Sequence, residues 1–355
     1  MQKIVKMDVN EMMALHDCNQ RYEHVQSILI YGPEERENVK YSIVIPTYKR
    51  VETLKDAIRS SLNQDGEYDY NIIVVDNNPT RDDETELFIK ELGCPKKIKY
   101  YKNSSNIGMT ANMNRCIELC EGEFAVLLHD DDILFPDYLS SISNIVIRHP
   151  EIDILYVGLK IWHQNRNESY PSVEISNKRY PLYKSSLINC LFTNNHTPTG
   201  MLIRKESFLS VGGFDEKTYP SQDYYFYAYA TVNDLKVYNY TKPIVIYRKY
   251  INESLNENTR FSFIIITTPL HRWLTEKLCI KSFVKRWLLS VKVNTALIPF
   301  RPETIMLASN YGIKYSKLLL LSNGLFRKVL QGYYNLQLSV IKRYIYRPQT
   351  VVDII

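Results

Sequence analysis

Short, continuous apolar runs recur along residues 41–128, and they are separated by segments whose apolar residues have helical spacing. Continuous runs are typical of strands buried on both faces, and spacings of three and four residues are typical of amphipathic helices. The pattern predicts strands at 41–46, 71–76, 98–102 and 124–128, with helices at 52–63, 82–92 and 108–120. Because strands alternate with helices, we expect an α/β fold with a mostly parallel, Rossmann-like sheet flanked by helices.

The pattern changes towards both ends of the chain, so three regions are predicted. Residues 1–39 form an N-terminal extension, with a helix expected over 9–29. Residues 40–258 form the α/β domain, with later strands near 153–161, 200–204 and 244–247 and a helix over 222–232. Residues 259–355 alternate apolar and basic residues at helical spacing, which predicts a basic helical C-terminal region.

Charge is distributed unevenly along the chain, although the formal net charge is only +5. Residues 261–355 contain 14 Lys/Arg and 3 Asp/Glu, whereas residues 1–260 contain 30 Lys/Arg and 36 Asp/Glu. A basic region of this kind favours an anionic partner, and its Trp-containing segment 271–301 suggests a membrane surface. A helical cap on the α/β domain or a homodimer contact is the alternative. We expect no nucleic-acid partner, because no nucleic-acid-binding module is recognisable.

Cysteine usage and hydropathy indicate the compartment. The six Cys residues include no Cys-x-x-Cys pair, and no basic and apolar leader follows Met1. No apolar run approaches the ~20 residues of a membrane-spanning helix. We therefore expect a reduced, cytoplasmic protein that does not cross the membrane, with a peripheral position on its inner face as an option.

Three adjacent carboxylates, Asp130, Asp131 and Asp132, follow directly after the buried run that ends at Leu128. Adjacent like charges repel, so a divalent cation with oxygen ligands is expected to balance them. Asp76 ends another predicted strand, and parallel strands present their carboxyl ends at one edge, where ligands bind. The alternative for the triplet is a solvated acidic loop in which Asp132 is a helix N-cap.

Several short motifs follow one another in order over roughly residues 41–255, and together they resemble the family 2 glycosyltransferases of the GT-A fold. The family's bacterial members often build surface polysaccharides. The motifs are Ser42-Ile-Val-Ile-Pro-Thr-Tyr48, Val75-Asp-Asn-Asn78, Asn106-Ile-Gly108, Asp130-Asp-Asp-Ile-Leu-Phe-Pro-Asp137, Gly200-Met-Leu-Ile-Arg204, Gly212-Gly-Phe-Asp215 and Gln222-Asp-Tyr224.

The resemblance implies an inverting, metal-dependent transfer of a sugar from a nucleotide-sugar, with UDP as the expected nucleotide, to an acceptor hydroxyl. The acceptor would be a glycan or a lipid-linked glycan, in capsule or O-antigen synthesis. Mn²⁺ or Mg²⁺ would bridge the phosphates of the donor and stabilise the leaving diphosphate. Such a chain is a hexosyltransferase of the cytoplasmic or peripheral membrane type.

The resemblance also implies roles for individual residues. The metal ligand falls on Asp131, with Asp132 as a second ligand or a helix cap, and the ribose contact falls on Asp130. The catalytic base that takes the proton of the acceptor falls on Asp223. The other nucleotide-sugar contacts fall on Asp76 for the base, Pro46, Thr47 and Tyr48 for an adjacent wall, Asn106 and Gly108 for a backbone turn, and Arg248 for the diphosphate.

Four positions depart from the family pattern. Two of them are Met113, where the family often has Arg, and Tyr250, where it often has His. His129 stands where the first acid of the metal motif is usual, and Gln222 stands where an acid usually precedes the base. Simpler interpretations stay open for two of the assigned sites. Thr47-Tyr48 suits ordinary turn chemistry, and Asp223 suits a helix N-terminal acid stabilised by the helix dipole.

Two other functions compete with sugar transfer. A nucleotidyltransferase that makes a nucleotide-sugar would share the fold and the Asp-held metal, but a Gly-rich basic loop is expected after its first strand. Residues 46–50 contain no glycine, which counts against this alternative. A non-catalytic binding module would be favoured by the loss of Asp131 or Asp223, and both are present.

Overall fold

The central element is an 11-stranded mixed sheet. The computed structural model describes residues 18, 20–35, 38–164, 178–192, 197–249, 256–321, 324–345 and 351–354. The strands are β1 (Ser27–Tyr31), β2 (Tyr41–Thr47), β3 (Tyr70–Asp76), β4 (Ile98–Asn103), β5 (Phe124–Leu127), β6 (Ile133–Leu134), β7 (Ile154–His163), β8 (Pro181–Lys184), β9 (Met201–Arg204), β10 (Val237–Lys249) and β11 (Val351–Ile354). Their spatial order is β1-β4-β3-β2-β5-β9-β7-β10-β8-β11, and β6 pairs with β10.

Helices cover the sheet and form most of the C-terminal region. They are α1 (Val51–Leu62), α2 (Glu84–Glu91), α3 (Met109–Leu119), α4 (Tyr138–Arg148), α5 (Leu187–Phe192), α6 (Lys205–Ser210), α7 (Gln222–Val232), α8 (Glu257–Lys277), α9 (Ser282–Leu297), α10 (Pro302–Leu307), α11 (Leu318–Leu321) and α12 (Gly324–Ile345). Short 3₁₀ turns occupy Gln20–Tyr22, Glu216–Thr218 and Ala308–Tyr311. Among the described residues, no helix combines the length and the apolar composition needed to span a bilayer.

The strands predicted between residues 41 and 128 form the parallel part of the sheet. β2 pairs in parallel with both β3 and β5, and β3 pairs in parallel with β4. All seven residues of β3 are buried, as its continuous apolar run predicts for a central strand. Most of the remaining pairs are antiparallel, so the sheet is mixed. The predicted α/β class is confirmed: a mixed sheet with a parallel central part is flanked by helices.

The N-terminal segment adds an edge strand to the sheet. β1 pairs antiparallel with β4, with Ser27 opposite Asn103. The predicted helix over 9–29 is wrong over 20–29, because 20–22 form only a 3₁₀ turn and the apolar residues at 27–29 pair with a distant strand; 9–17 and 19 lie outside the described residues. Arg115 of α3 holds this segment, donating from Nη1 to the Val25 carbonyl at 2.8 Å and the Ser27 hydroxyl at 2.6 Å. Part of the 1–39 region thus completes the sheet, and the division at residue 39 stays a prediction.

The predicted helical C-terminal region is present, and it packs on the α/β half. Leu270 and Leu274 of α8 and Leu288 of α9 are fully buried in one core with residues of β3, β5 and α7. The Tyr225 hydroxyl of α7 donates to the Ile266 carbonyl at 2.8 Å. Segment 271–301 is therefore mainly a helical cap, the alternative that the sequence left open.

Candidate functional site

Three strand ends meet at one edge of the sheet, as their parallel order predicts. Thr47 at the end of β2 lies opposite Asp76 at the end of β3, and the Asn77 N–H donates to the Thr47 carbonyl at 2.9 Å. The Thr47 hydroxyl donates to Oδ2 of Asp130 at 2.8 Å. The ends of β2 and β3 are thus joined to the segment after β5, residues 129–132, which we call the acidic cluster.

Arg50 brings a positive charge to the acidic cluster. Its Nη1 lies 3.1 Å from Oδ2 of Asp131 and 3.5 Å from Oδ1 of Asp130. The Arg50 side chain is 45% exposed, so the pairing is partly screened by solvent. The sequence interpretation did not include Arg50 in the site. The available signal was its position just beyond a strand end at the edge where the acids were expected.

Burial and mutual repulsion raise the pKa values of two carboxyl groups in the acidic cluster. Burial and then the neighbouring charge of Asp131 raise the pKa of Asp130 to about 6, although Arg50 and Thr47 oppose the shift. Burial and the same neighbour raise the pKa of Asp132 well above its ordinary value. Both carboxylates would be stabilised by an additional cation, which would lower their pKa values.

Asp132 is not a helix cap. A two-residue strand, β6, follows it, and the N-cap of the next helix is Asp137. Oδ1 of Asp132 instead accepts the backbone N–H of Arg248 at 2.8 Å, so the fully buried carboxylate joins the cluster to β10. The cap alternative failed because the pairing of β6 with β10 is a long-range contact that local sequence does not encode.

His129, Asp131 and Asp132 together form a candidate metal centre. One ligand atom from each lies within 4.8 Å of the others. Nε2 of His129 and Oδ2 of Asp132 are buried, and within the described ranges neither has a hydrogen-bond partner. Burial lowers the pKa of His129, which favours the neutral imidazole that binds metal. One imidazole and two carboxylates are ligands that divalent metal ions take in proteins.

Asp76, the predicted contact of the nucleotide base, lies deep in the protein interior. It is fully buried, and its Oδ1 accepts the Asn78 N–H at 2.9 Å. Its Oδ2 accepts from the Tyr100 hydroxyl at 2.7 Å and from Lys102 Nζ at 3.1 Å. Burial raises the pKa of Asp76, and these donors oppose the shift. Asp76 thus sits in an internal network, and a contact with a nucleotide base stays a prediction.

The residues predicted as an adjacent wall and turn are placed at the ends of β2 and β4. Pro46 is half-buried, and Tyr48 is 42% exposed with the Lys49 ammonium 5.3 Å from its ring centre. The side-chain amide of Asn77 donates to Oδ1 of Asn106 at 2.8 Å and to the Gly108 carbonyl at 3.1 Å. Gly108 has φ +82°, and among the described residues no heavy atom beyond its own chain neighbours lies within 4 Å of the position a Cβ would occupy. The Tyr48 ring and the backbone at Gly108 are therefore open to a ligand.

Arg248 is bound within the protein. It is buried, its Nη2 lies 2.6 Å from Oδ2 of Asp56 in α1, and its guanidinium carbon lies 5.1 Å from the centre of the Trp162 ring. The predicted diphosphate contact by this side chain stays a prediction. Arg248 contacts the acidic cluster through its backbone N–H, which donates to Asp132.

Asp223 lies on a different element, in the first turn of α7, whose predicted bounds of 222–232 are confirmed. Its Oδ1 accepts the Tyr224 N–H at 2.8 Å. Burial raises its pKa to about 6. The pKa of Tyr156 in β7 is raised first by the burial of Tyr156 itself and then by the charge of Asp223. The neighbouring Tyr224 hydroxyl lies 3.1 Å from Nε2 of His271, which links this turn to the C-terminal region.

The fold is that of known GT-A proteins. The crystal structure of S. aureus TarS 1–349 in complex with UDP-GlcNAc aligns with a TM-score of 0.56 at 18% identity, covering 86% of this chain and 89% of that one. At this identity the similarity establishes the architecture alone.

Sequence comparisons show which family the chain resembles. Residues 42–211 match the family model described as glycosyl transferase family 2. An uncharacterized glycosyltransferase of Methanocaldococcus jannaschii is 28% identical over 204 residues, 57% of this chain and 68% of that protein. GalNAc(5)-diNAcBac-PP-undecaprenol beta-1,3-glucosyltransferase of Campylobacter jejuni is 36% identical over 107 residues, 30% of this chain and 34% of that protein. Over residues 42–211 the chain is therefore similar to glycosyl transferase family 2, and the named relatives support a transferase.

Proposed function

We propose that this protein is an inverting, metal-dependent glycosyltransferase that moves a sugar from a UDP-sugar to an acceptor hydroxyl. The observation that carries the proposal is the acidic cluster at the carboxyl edge of the sheet. Its buried carboxylates Asp130 and Asp132 have raised pKa values, and Asp130 bonds directly to Thr47 at the end of β2. An edge with this charge and position suits a cation together with a diphosphate.

His129, Asp131 and Asp132 would hold the metal, Mn²⁺ or Mg²⁺. When bound, the ion would supply positive charge to the departing diphosphate. Asp130, which is oriented by Thr47, would bind the ribose, and Tyr48 would stack on the base beside Pro46. The remaining contacts to the nucleotide-sugar are assigned to Asp76, Asn106, Gly108 and Arg248.

Asp223 would act as the general base in this proposal. A pKa of about 6 leaves the carboxylate ionised at neutral pH and still basic enough to accept a proton from a hydroxyl as it attacks. Its half-buried position supports the role, because a proton acceptor must reach the acceptor substrate. The helix-dipole alternative accounts for its place in the first turn but not for an interaction with substrate.

The acceptor in this proposal is a lipid-linked glycan, used in surface polysaccharide synthesis such as capsule or O-antigen assembly. The Campylobacter relative supports it, since its name specifies an undecaprenol-linked substrate. The TarS complex with UDP-GlcNAc supports a UDP-linked donor. A carrier lipid would bring the enzyme to the cytoplasmic face of the membrane, where the basic C-terminal region suits anionic lipid.

Nucleotide-dependent thermal stabilisation tests the proposal. We expect UDP and a UDP-sugar to raise the melting temperature by roughly 3–6 °C near saturation, and only when Mn²⁺ is present. Asp131→Asn should remove this increase, because it removes a ligand of the metal. Glu52→Gln is the matched control, since Glu52 is a highly exposed acid on α1. Equal stabilisation of the wild type and Asp131→Asn, or none with any UDP-sugar and Mn²⁺, would contradict the proposal.

A further inference from the structure

Helix α12 has one face in the core. Leu330, Tyr334 and Ile341 are buried there and belong to the same core as α8 and α9. The indole N–H of Trp287 in α9 donates to Oε1 of Gln337 in α12 at 2.7 Å. These contacts fix which side of the helix faces the protein.

Another face of α12 is apolar and exposed, and we call it the apolar face. Its side chains are between 40 and 76% exposed. Six of them are separated by intervals of three or four residues, which aligns them along one side of the helix. The residues of the apolar face are Leu325, Phe326, Val329, Tyr333, Leu336, Val340 and Tyr344.

The extent of the apolar face marks it as an interaction surface. Seven large apolar or aromatic residues at this exposure present on the order of several hundred Å² of apolar area, which reaches the largest patch usual on a soluble monomer. Scattered exposed residues such as Ile147 on α4 are ordinary, whereas a continuous row along 20 residues of helix, from 325 to 344, is not.

Charge indicates what covers the apolar face. α12 contains four Lys/Arg residues and no Asp/Glu. Two of these basic residues lie near each end of the helix: Arg327 and Lys328 at the start, Lys342 and Arg343 at the end. If two copies paired through this helix, in parallel or antiparallel, basic ends would meet in either orientation and repel. An anionic lipid surface offers the complementary charge, and amphipathic helices with apolar and basic faces bind such surfaces.

We propose that the apolar face of α12 lies in the interface of an anionic lipid bilayer, with Lys328 and Arg343 against the headgroups. The sequence pattern pointed to segment 271–301 for this contact, but much of that segment is buried against the α/β half. The inference gives the membrane contact of the proposed function a defined surface. It is tested by lipid binding alone, so it stands or fails separately from sugar transfer.

Vesicle sedimentation of the full chain tests the proposal. We expect binding to vesicles of phosphatidylglycerol and phosphatidylcholine, and much weaker binding to phosphatidylcholine alone. The double variant Val329→Ser/Leu336→Ser should reduce the partition coefficient by roughly tenfold or more, because it removes two of the inserted side chains. Ile147→Ser is the matched control and should bind as the wild type does, since Ile147 is equally exposed but lies on α4.

A second variant guards against loss of folding. Val340→Glu places a negative charge on the apolar face and replaces a β-branched residue by a better helix former. It should keep the wild-type circular dichroism spectrum and lose binding to the anionic vesicles. Wild-type binding by both variants would overturn the proposal. So would a concentration-dependent dimer in sedimentation velocity that the double variant abolishes, with no vesicle binding by the wild type, because a second copy would then be the occupant.

Discussion

At the scale of single residues, bonds between side chains of different elements join the acidic cluster to the end of β2 and to Arg50. The position of Asp130–Asp132 after a buried run placed them at the strand ends, where β2 and β3 also end. The pairing of Arg50 with two of these acids, and the internal network around Asp76, depend on side-chain directions that spacing does not encode. His129 was predicted as a departure from the family pattern, yet its ring nitrogen lies within the candidate metal centre.

The pH dependence of transfer tests Asp223 as the base. Its pKa is raised to about 6, so the ionised form is lost as the pH falls through that value. With Mn²⁺ and donor saturating, we expect kcat to fall about tenfold per pH unit below 6 and to level off above it. Asp223→Asn should reduce kcat by roughly 10²–10⁴-fold and leave the Kd for the nucleotide-sugar nearly unchanged.

Asp130 also has a raised pKa of about 6, so binding must be measured alongside turnover. Calorimetric titration of UDP with Mn²⁺ across the same pH range separates an effect on binding from one on proton transfer. Residual activity of Asp223→Asn near the wild-type level would remove the base assignment.

At the scale of elements, local periodicity predicted the parallel strands and α7 well, because each is long and consistently patterned. It failed for β1, where Ser-Ile-Leu-Ile-Tyr continues an amphipathic stretch and becomes a strand only by pairing with β4. It also missed β6, whose two residues form a strand only because they pair with β10. Both errors concern elements that long-range pairing defines.

Arg115 should decide the stability of the β1 edge. Its guanidinium donates to the carbonyls of Tyr22 and Val25 and to the hydroxyl of Ser27. Arg115→Met removes these charged hydrogen bonds, and we expect a loss of about 2–3 kcal/mol in the free energy of unfolding. Hydrogen exchange in β1 should be faster in the variant than in the wild type. Exchange in β3 should be the same in both, because β3 does not contact Arg115 through these bonds.

Arg115→Lys is the control for this prediction. It keeps the charge but not the planar fork, so it should recover only part of the lost stability. Unchanged exchange in β1 of the Met variant would mean that strand pairing alone holds the edge.

At the scale of the whole molecule, the α/β half and the C-terminal helices share a core. The sequence predicted a helical, basic C-terminal region but not which helix would be buried, since α8, α9 and α12 all mix apolar with basic residues. One buried amine spans the junction: Nζ of Lys292 in α9 donates to the Leu191 carbonyl of α5 at 2.6 Å. Tertiary packing, which no local pattern reports, decides such placements.

Lys292 makes the junction sensitive to pH. Burial lowers its pKa to about 8, so between pH 8 and the ordinary value of 10.5 the unfolded chain binds more protons than the folded one. The unfolding free energy therefore increases as the pH rises through that window. Below pH 8 both states are protonated, so the contribution of Lys292 does not change with pH. We expect the unfolding free energy of the wild type, relative to Lys292→Met, to increase from pH 8 to pH 10 in urea titrations. A difference that stays constant or decreases over this range would show that Lys292 titrates normally.

The pairing of β11 with β8 has a consequence for biosynthesis. β11 comprises residues 351–354, while β8 comprises residues 181–184, so this antiparallel pair joins segments made far apart in time. The parallel strands β2 to β5 lie within residues 41–127 and can assemble while the chain is still on the ribosome. The core under α12 must wait until translation has passed residue 345, and the edge at β8 until it has passed residue 354. A nascent chain of this protein would therefore leave the β8 edge without its β11 partner from residue 184 until residue 351 is made, and unpaired strand edges of this kind are the condition that chaperones counter.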